Sequence, residues 1–306
     1  MINGQVWTDI DGNMIQAHGG GITEVDGTYY WYGESYAKVN GEAVYSNNGI
    51  MCYSSNDLIN WKNEGMVLSA ITTRDWYAHD LFYKNVIQRP KVVFNKHTNK
   101  YMMYFHSDNP MYTRAAVGIA ECDTPTGQFT YIGSLRPHYR SSHDMTVFVD
   151  DDGATYLFNA SDHNSMVRAM RISDDGLHFD SWSIVVKEKP GLPTREAPAI
   201  FKKNGKYYMI SSGCSGWNPN RAECHVADSI FGEWTSLGDP CEGEDGDLTF
   251  HSQSTFVLKV GDEYVFMADR WKPQVLNESG YVWLPIRFDN EQPVITWNNE
   301  WRGQTK

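Results

Sequence analysis

The stretch "REAPAIFKKNGKYYMISSG" (residues 195–213) contains the pattern that decides the fold. An apolar run is followed by Asn-Gly, a second run led by tyrosine, and small polar residues. Asn-Gly between alternating apolar residues is a strong signal for a β-hairpin. The stretch also raises a chemical question, because Glu196 stands at the start of a strand, where an unpaired buried carboxylate is costly.

The same hairpin pattern occurs five times along the chain. The other copies are "GGGITEVDGTYYWYGES" (19–35), "QRPKVVFNKHTNKYMMYFHSD" (88–108), "HDMTVFVDDDGATYLFNASD" (143–162) and "HSQSTFVLKVGDEYVFMAD" (251–269). A second pair of strands of another type follows each hairpin, which gives four strands per unit. Such a repeat predicts an all-β fold, a five-bladed β-propeller that forms a single domain over residues 1–306. A β-sandwich with coincidental hairpins is the alternative, and five matches in order disfavour it.

A propeller places the first strand of every blade along the central channel. The residues that precede the five apolar strands should therefore surround one mouth of that channel. Counted back from the leading tyrosines, they are Gly19, Gln88, Asp144, Glu196 and Gln253. We expect an active site at this mouth, with Glu196 and Asp144 as neighbours although they are distant in sequence.

Two carboxyl groups that face one cavity are the minimum for glycoside hydrolysis, provided that partial desolvation keeps one of them protonated. In the alternative reading, these carboxylates pair with Arg195, Arg89 or Arg140 and only hold blades together. Charges alone leave the two readings even, but aromatic and polar residues at the same end favour a sugar site. The predicted sugar-binding residues are Glu34, Asn159, Gly216, Trp217, Arg270, Trp271 and Trp31.

Composition excludes several other classes of function. The formal charge of −12 argues against nucleic acid or an anionic membrane as a partner, since both require clustered Lys and Arg. The five cysteines are widely spread and predict neither a zinc site nor a disulfide framework. No leader peptide is visible at the N-terminus. The compartment stays open between the cytoplasm and, if a leader has been removed, the periplasm or the exterior.

Three other motifs receive ordinary structural readings. His18, His143 and His251 lie in or beside first strands and could converge on the axis, where we favour polar packing over a metal site. "DDDG" (150–153) lacks the remaining ligands of a calcium loop and is predicted to be a hairpin turn. "SSGCSGW" (211–217) lacks the nucleophile elbow of a serine hydrolase and is more suited to close approach of a ligand to the backbone.

An ordered set of motifs between residues 16 and 286 resembles glycoside hydrolase family 43, and within it the exo-β-1,3-galactanase subfamily. The motifs are "QAHGGGI", "YYWYGE", "RPKVVFN", "HDMTVFVDDDG", "REAPAIF", "SGCSGW", "SQSTFV", "DRWKP" and "YVWLPI". The resemblance implies a five-bladed propeller with an inverting mechanism. It implies that Glu196 is the general acid and that Asp144 tunes this acid and orients the sugar. The aspartate base of the broader family is replaced by Gly19, and Gln253 matches an amide that positions the water, for which an imidic-acid tautomer has been proposed.

One position departs from the subfamily pattern, which has Glu directly before "RPKV", whereas this chain has Gln88. With Gln88 and Gln253 both neutral, the sequence shows no evident base near the water. A natural variant with altered specificity, an inactive homologue and an introduced Glu→Gln substitution are the three explanations that stay open.

The resemblance implies an exo-acting hydrolase that removes terminal galactose from β-1,3-galactan, from arabinogalactan-type chains or from galacto-oligosaccharides. This chemistry requires no cofactor, although a structural Ca²⁺ on the axis is compatible with it. An α-L-arabinofuranosidase or β-xylosidase of the same fold is the first alternative. A non-catalytic carbohydrate-binding propeller is the second.

Overall fold

The computed structural model describes residues 1–37, 47–73, 79–187 and 194–303. These residues form five sheets, each of which is built from strands that follow one another in sequence. Each sheet is one blade, so the predicted five-bladed β-propeller is confirmed. The described part of the chain has no helix long and apolar enough to cross a membrane.

The first two blades cover the N-terminal part of the chain. Blade 1 consists of β1 (His18–Val25), β2 (Thr28–Ser35), β3 (Gly49–Ser55) and β4 (Lys62–Ser69). Blade 2 consists of β5 (Val86–Asn95), β6 (Lys100–Asp108), β7 (Ala116–Cys122) and β8 (Thr130–Leu135).

The remaining three blades follow in the same way. Blade 3 consists of β9 (Met145–Val149), β10 (Thr155–Ser161), β11 (Met166–Ile172) and β12 (Phe179–Lys187). Blade 4 consists of β13 (Glu196–Lys203), β14 (Lys206–Ser212), β15 (Glu223–Ala227) and β16 (Thr235–Gly238). Blade 5 consists of β17 (Cys241–Glu242), β18 (Gln253–Val260), β19 (Glu263–Arg270), β20 (Gly280–Asp289) and β21 (Gln292–Thr296). Short 3₁₀-helices cover Pro137–Tyr139, Gly246–His251 and Leu276–Glu278.

The inner strands β1, β5, β9, β13 and β18 pack against one another in that order, and β18 returns to β1. They form a closed ring, which we call the hub. The two chain ends meet, since Ile2 forms a β-bridge with Glu300 and the amino group of Met1 donates to the carbonyl oxygen of Trp301 at 3.0 Å. The N-terminus therefore closes the wheel against the last blade.

The hairpin turns have the geometry that their sequences predict. Asn204 and Gly205 both have positive φ, as do Asp26 and Gly27, which is the requirement of a two-residue type I′ turn. The "DDDG" segment joins β9 to β10, so its reading as a hairpin turn is confirmed. Asp150 in this turn accepts hydrogen bonds from Lys202 at 2.6 Å and from Tyr207 at 2.5 Å, which ties blade 3 to blade 4.

Apolar residues of neighbouring blades form one cluster at each of the five interfaces. The alternation of side chains along a strand distributes them, because successive residues point to opposite faces of a blade. In β2, Trp31 points toward blade 5, whereas Tyr32 points toward blade 2. Each blade is thus buried on both faces by its neighbours.

Trp31 is the one predicted sugar-binding aromatic residue that lies in the core. Its side chain is 1% exposed and packs edge-on against Trp61 and Trp283, with ring centroids 5.2 Å and 5.0 Å away. The prediction that Trp31 binds sugar is wrong, because the strand alternation turns this ring into the interface between blades 1 and 5.

A β-bulge near the mouth decides which residue of each inner strand faces the channel. The bulge occurs in β1, β5, β13 and β18. The pairing of Glu196 with Ser212 in blade 4 corresponds to the pairing of His18 with Glu34 in blade 1. The prediction that Gly19 is the first-blade member of the ring is therefore wrong by one residue. Glu196 precedes its leading tyrosine by 11 residues, and the same count in blade 1 reaches His18.

Replacement of Trp31 by alanine tests the role of this ring in the core. We expect Trp31→Ala to lower the free energy of unfolding by about 3–5 kcal/mol, the usual cost of removing a large buried aromatic side chain. The matched control is Trp182→Ala, because the Trp182 side chain is 45% exposed; it should cost about 1 kcal/mol or less. Urea unfolding followed by fluorescence measures both, and equal losses would contradict the assignment.

Candidate active site

The carboxyl group of Glu196 faces a pocket of about 240 Å³ at the mouth of the channel. The side chains of Asn164 and Gln253 donate to its two oxygens, each at 3.1 Å. Burial and, to a smaller extent, the nearby Asp144 raise the pKa of Glu196, Arg89 opposes the rise, and the resulting pKa is about 8. A carboxyl group in this environment stays protonated at neutral pH and can donate a proton.

Asp144 lies on the same pocket but in a different electrostatic setting. The guanidinium of Arg89 approaches it at 3.0 Å, and both side chains are largely buried. The sequence analysis considered Arg195, Arg89 and Arg140 as partners of the site carboxylates, and the pair between Arg89 and Asp144 forms. Arg195 instead approaches Glu223 at 3.6 Å, and Arg140 approaches Asp162 at 3.4 Å. Asp144 therefore has a cation beside it, whereas Glu196 has no direct cationic partner among the described residues.

The amide of Gln253 uses its full hydrogen-bonding capacity. Its nitrogen donates to Glu196 and to Ser212 Oγ at 3.0 Å. Its oxygen accepts from Arg89 Nη2 at 2.6 Å and from Trp271 Nε1 at 3.0 Å. An amide has two donor hydrogens and two acceptor lone pairs, so Gln253 is held rigidly beside Glu196.

Blades 1 and 2 contribute a second polar group to the pocket. Tyr36 donates from its hydroxyl to Glu34 Oε2 at 2.5 Å and accepts from Gln88 Nε2 at 3.1 Å. Burial raises the pKa of Glu34, the hydrogen bond from Tyr36 and the charge of Arg89 oppose the rise, and the resulting pKa is about 8. Both Glu34 and Gln88 line the pocket, and the predicted role of Glu34 in binding sugar stays a prediction.

Aromatic side chains form one wall of the pocket. Trp217 and Trp271 meet edge to face with ring centroids 5.4 Å apart, and Gly216 lies beside them. All three line the pocket, in agreement with their predicted place. Arg270 lies instead in an adjoining depression of about 120 Å³ that shares both tryptophans. Its guanidinium donates to the carbonyl oxygen of Phe250 and stacks over Trp297 at 5.0 Å.

Asn159 does not reach the pocket. Its side chain is 1% exposed and donates to the carbonyl oxygens of Ser141 and Ala160, both at 3.3 Å. The prediction that Asn159 binds sugar is therefore wrong in this structure, because the side chain packs beneath the loop before β9. Asn164, in the turn between β10 and β11, is the blade 3 amide that contacts Glu196.

The three histidines that could have met on the axis lie apart. His18 stacks on Tyr281 with ring centroids 5.0 Å apart, and His143 lies against His106 at 5.7 Å. His251 lies 3.2 Å from Asp245 at the rim. The convergence on the axis that the sequence left open does not occur, since the three histidines lie in different parts of the wheel.

Two buried cations of β5, Arg89 and Lys91, lie in the hub. The Lys91 ammonium donates to the carbonyl oxygens of Gly19, Arg89 and Pro90 at 2.9, 3.4 and 3.3 Å. Burial and, to a smaller extent, the charge of Arg89 lower the pKa of Lys91 to about 7. These carbonyl oxygens therefore face a lysine ammonium. The structural Ca²⁺ that the sequence analysis allows stays a prediction.

Several residues of the site escaped the sequence reasoning. Tyr36 follows Glu34 by two positions, and residues two apart in an extended chain lie on the same face. This local signal could have identified Tyr36 as a residue of the site. Tyr112 also lines the pocket, and the Cys214 side chain contributes to lowering the pKa of Glu196. These two lie in loops, where no periodicity indicates the direction of a side chain.

The comparisons with known proteins agree with this geometry. The family model of glycosyl hydrolases family 43 matches residues 18–256. A β-1,3-galactosidase of this family, solved with galactodeoxynojirimycin, is 36% identical with a TM-score of 0.89, and the alignment covers 98% of this chain and 99% of that one. No curated protein matches the chain.

Two further solved structures are longer than this chain. An exo-β-1,3-galactanase variant from Phanerochaete chrysosporium, solved with β-1,3-galactotriose, is 36% identical with a TM-score of 0.88, over 96% of this chain and 66% of that one. The exo-β-1,3-galactanase from Clostridium thermocellum is 34% identical with a TM-score of 0.84, over 97% of this chain and 64% of that one. On the match of the family model and of these structures, the chain belongs to glycoside hydrolase family 43.

Proposed function

We propose that this chain is an exo-acting hydrolase that removes terminal galactose from β-1,3-linked galactan, arabinogalactan-type chains or galacto-oligosaccharides, with inversion at the anomeric carbon. The observation that carries the proposal is the Glu196 carboxyl group. It is kept protonated in a pocket with an aromatic wall, and Glu34 and Gln88 line the same pocket. The solved relatives named as β-1,3-galactosidase or exo-β-1,3-galactanase support the choice of sugar and linkage.

The roles follow from the environments of the side chains. Glu196 donates its proton to the glycosidic oxygen as the bond to the leaving sugar breaks. Asp144, which Arg89 holds in place, lies near enough to Glu196 to raise its pKa. Gln253 fixes the orientation of the acid. The sequence prediction that Gln253, with Gln88, holds the attacking water stays a prediction.

Trp217 and Trp271 provide apolar faces against which a sugar ring can pack. Polar groups around the same pocket, including Glu34 and the backbone at Gly216, are suited to bind its hydroxyl groups. The pocket volume of about 240 Å³ is below the range of roughly 300–1,000 Å³ that is typical of drug-sized ligands. This size favours one terminal sugar.

The anomeric configuration of the first product tests the proposed function. Incubation with β-1,3-galactobiose should release α-galactose before mutarotation, as followed by the anomeric proton in NMR spectra. Binding of galactobiose without release, by both this chain and its Gln88→Glu variant, would identify a carbohydrate-binding propeller instead. Release from aryl arabinofuranoside or xyloside but not from galactobiose would indicate the alternative specificities.

The pH dependence and the Glu196→Gln variant test the role of the acid. The raised pKa keeps Glu196 protonated below about pH 8, so the alkaline limb of the kcat/KM profile should lie near this value and kcat/KM should fall at higher pH. Glu196→Gln should lower kcat about 10³-fold, within the usual contribution of a general acid, and should leave the melting temperature nearly unchanged. The exposed carboxylate Glu263 provides the matched control, and Glu263→Gln should keep full activity. A large loss of stability in Glu196→Gln would mark Glu196 as a structural residue.

A further inference from the structure

Hydrolysis with inversion requires a group that takes the proton of the attacking water. This group must face the sugar ring from the side opposite the acid, with the two groups roughly 6.5–9.5 Å apart. The following inference rests on the proposed function and concerns the residue that fills this second role.

The order of the inner strands places the candidates around the pocket. Glu196 lies on β13, whose neighbours in the hub are β9 and β18. The strands across the hub from β13 are β1 and β5. Asp144 and Gln253 are therefore on the two blades beside the acid, whereas Glu34 and Gln88 come from the two blades opposite it.

Hydrogen bonding separates these four residues further. Asp144 is paired with Arg89 at 3.0 Å, and the Gln253 amide has all four of its hydrogen-bonding positions engaged. Gln88 carries an amide, which is not a base. Glu34 is the remaining carboxylate among the described residues that line this pocket.

The backbone conformation of β1 leaves space for the carboxyl group of Glu34. Gly19 has φ of +58° in the bulge, and a Cβ atom at this position would collide with Glu34 Oε1. The glycine therefore lets a carboxylate from the second strand enter the space beside the first strand. The backbone N–H of Arg89 donates to Oε1 at 3.4 Å, and the hydroxyl of Tyr36 donates to Oε2 at 2.5 Å. Both donors favour the ionised form of the carboxyl group and oppose the effect of burial, and together these contributions leave the pKa of Glu34 at about 8. The ionised carboxylate that acts as the base therefore becomes more populated as the pH rises toward 8.

We propose that Glu34 is the catalytic base of this enzyme. The water oxygen forms a bond to the anomeric carbon while the bond from this carbon to the leaving oxygen breaks. One proton of the water passes to the Glu34 carboxylate, and the proton of Glu196 passes to the leaving oxygen. Exchange with solvent then returns both groups to their starting states.

Tyr36 and Gln88 are positioning residues in this arrangement. The Tyr36 hydroxyl links Gln88 Nε2 to Glu34 Oε2, so the amide and the carboxylate are held in a fixed relation across two blades. This link explains how the chain can carry Gln88 at the mouth and still retain a carboxylate opposite the acid.

Azide rescue of Glu34→Gln tests the proposal with β-1,3-galactobiose as substrate. We expect kcat to fall about 10³-fold, within the range of a general base, with little change in KM. Azide needs no deprotonation, so sodium azide should restore turnover at least about 10-fold and yield α-galactosyl azide. Glu263→Gln is the matched carboxylate control and should show wild-type rates with galactose as the only monosaccharide product.

Other outcomes would overturn the assignment. A raised KM with nearly unchanged kcat, and no effect of azide, would show that Glu34 only binds a sugar hydroxyl. If Glu34→Gln fails to fold, Glu34→Asp decides between the same two results, since it keeps a carboxylate one methylene group farther away. Release of α-galactose by the unaltered chain would uphold the proposed function whichever result Glu34 gives.

Discussion

The buried guanidinium of Arg89 connects more of this molecule than any other contact described above. It bonds to the carbonyl oxygen of Ser254 at 2.7 Å and to the Gln253 amide at 2.6 Å in blade 5, and it pairs with Asp144 before blade 3. Its own backbone N–H reaches Glu34 in blade 1. A buried charge is tolerated only when it is paired and hydrogen-bonded. The contacts that satisfy Arg89 are therefore the same contacts that arrange the site.

This arrangement explains why two carboxyl groups of one pocket have different electrostatic surroundings. Asp144 lies directly against Arg89, whereas Glu196 receives neutral donors and is raised in pKa by burial and by Asp144. The environment, and not the residue type, assigns the role of acid. Lys91 places a second cation deeper in the hub, where it binds backbone carbonyl oxygens.

The fold could be predicted from the sequence because its signals are local and repeated. Asn-Gly and Asp-Gly turns fixed the hairpins, and the regular spacing of Glu196 and Gln253 from their leading tyrosines placed both at one mouth, where they are 3.1 Å apart. No comparable sequence signal indicated the bulge in β1. Gly19 was therefore assigned to the position in blade 1 that corresponds to Glu196, whereas His18 occupies that position. A one-residue shift in a strand reverses the direction of every side chain.

Side-chain direction limited the prediction of the site. Trp31 and Trp271 are equally aromatic in sequence, but strand alternation buries the first between blades 1 and 5 and leaves the second at the pocket. The sequence analysis selected Asn159, but the amide that contacts Glu196 belongs to Asn164. Asn164 lies in a turn, where no strand alternation indicates the direction of a side chain. The bond from Tyr36 to Gln88 joins residues 52 positions apart, and no local pattern indicates such a contact.

The central claim is that the hub places an acid and a proton acceptor on opposite sides of one sugar. A crystal structure with galactose bound tests it most directly. The account predicts a single galactose in the pocket against Trp217 and Trp271, with the Glu196 and Glu34 carboxyl groups on opposite faces of the ring, roughly 6.5–9.5 Å apart. Galactose bound outside this pocket, or both carboxyl groups on one face of the ring, would contradict the account.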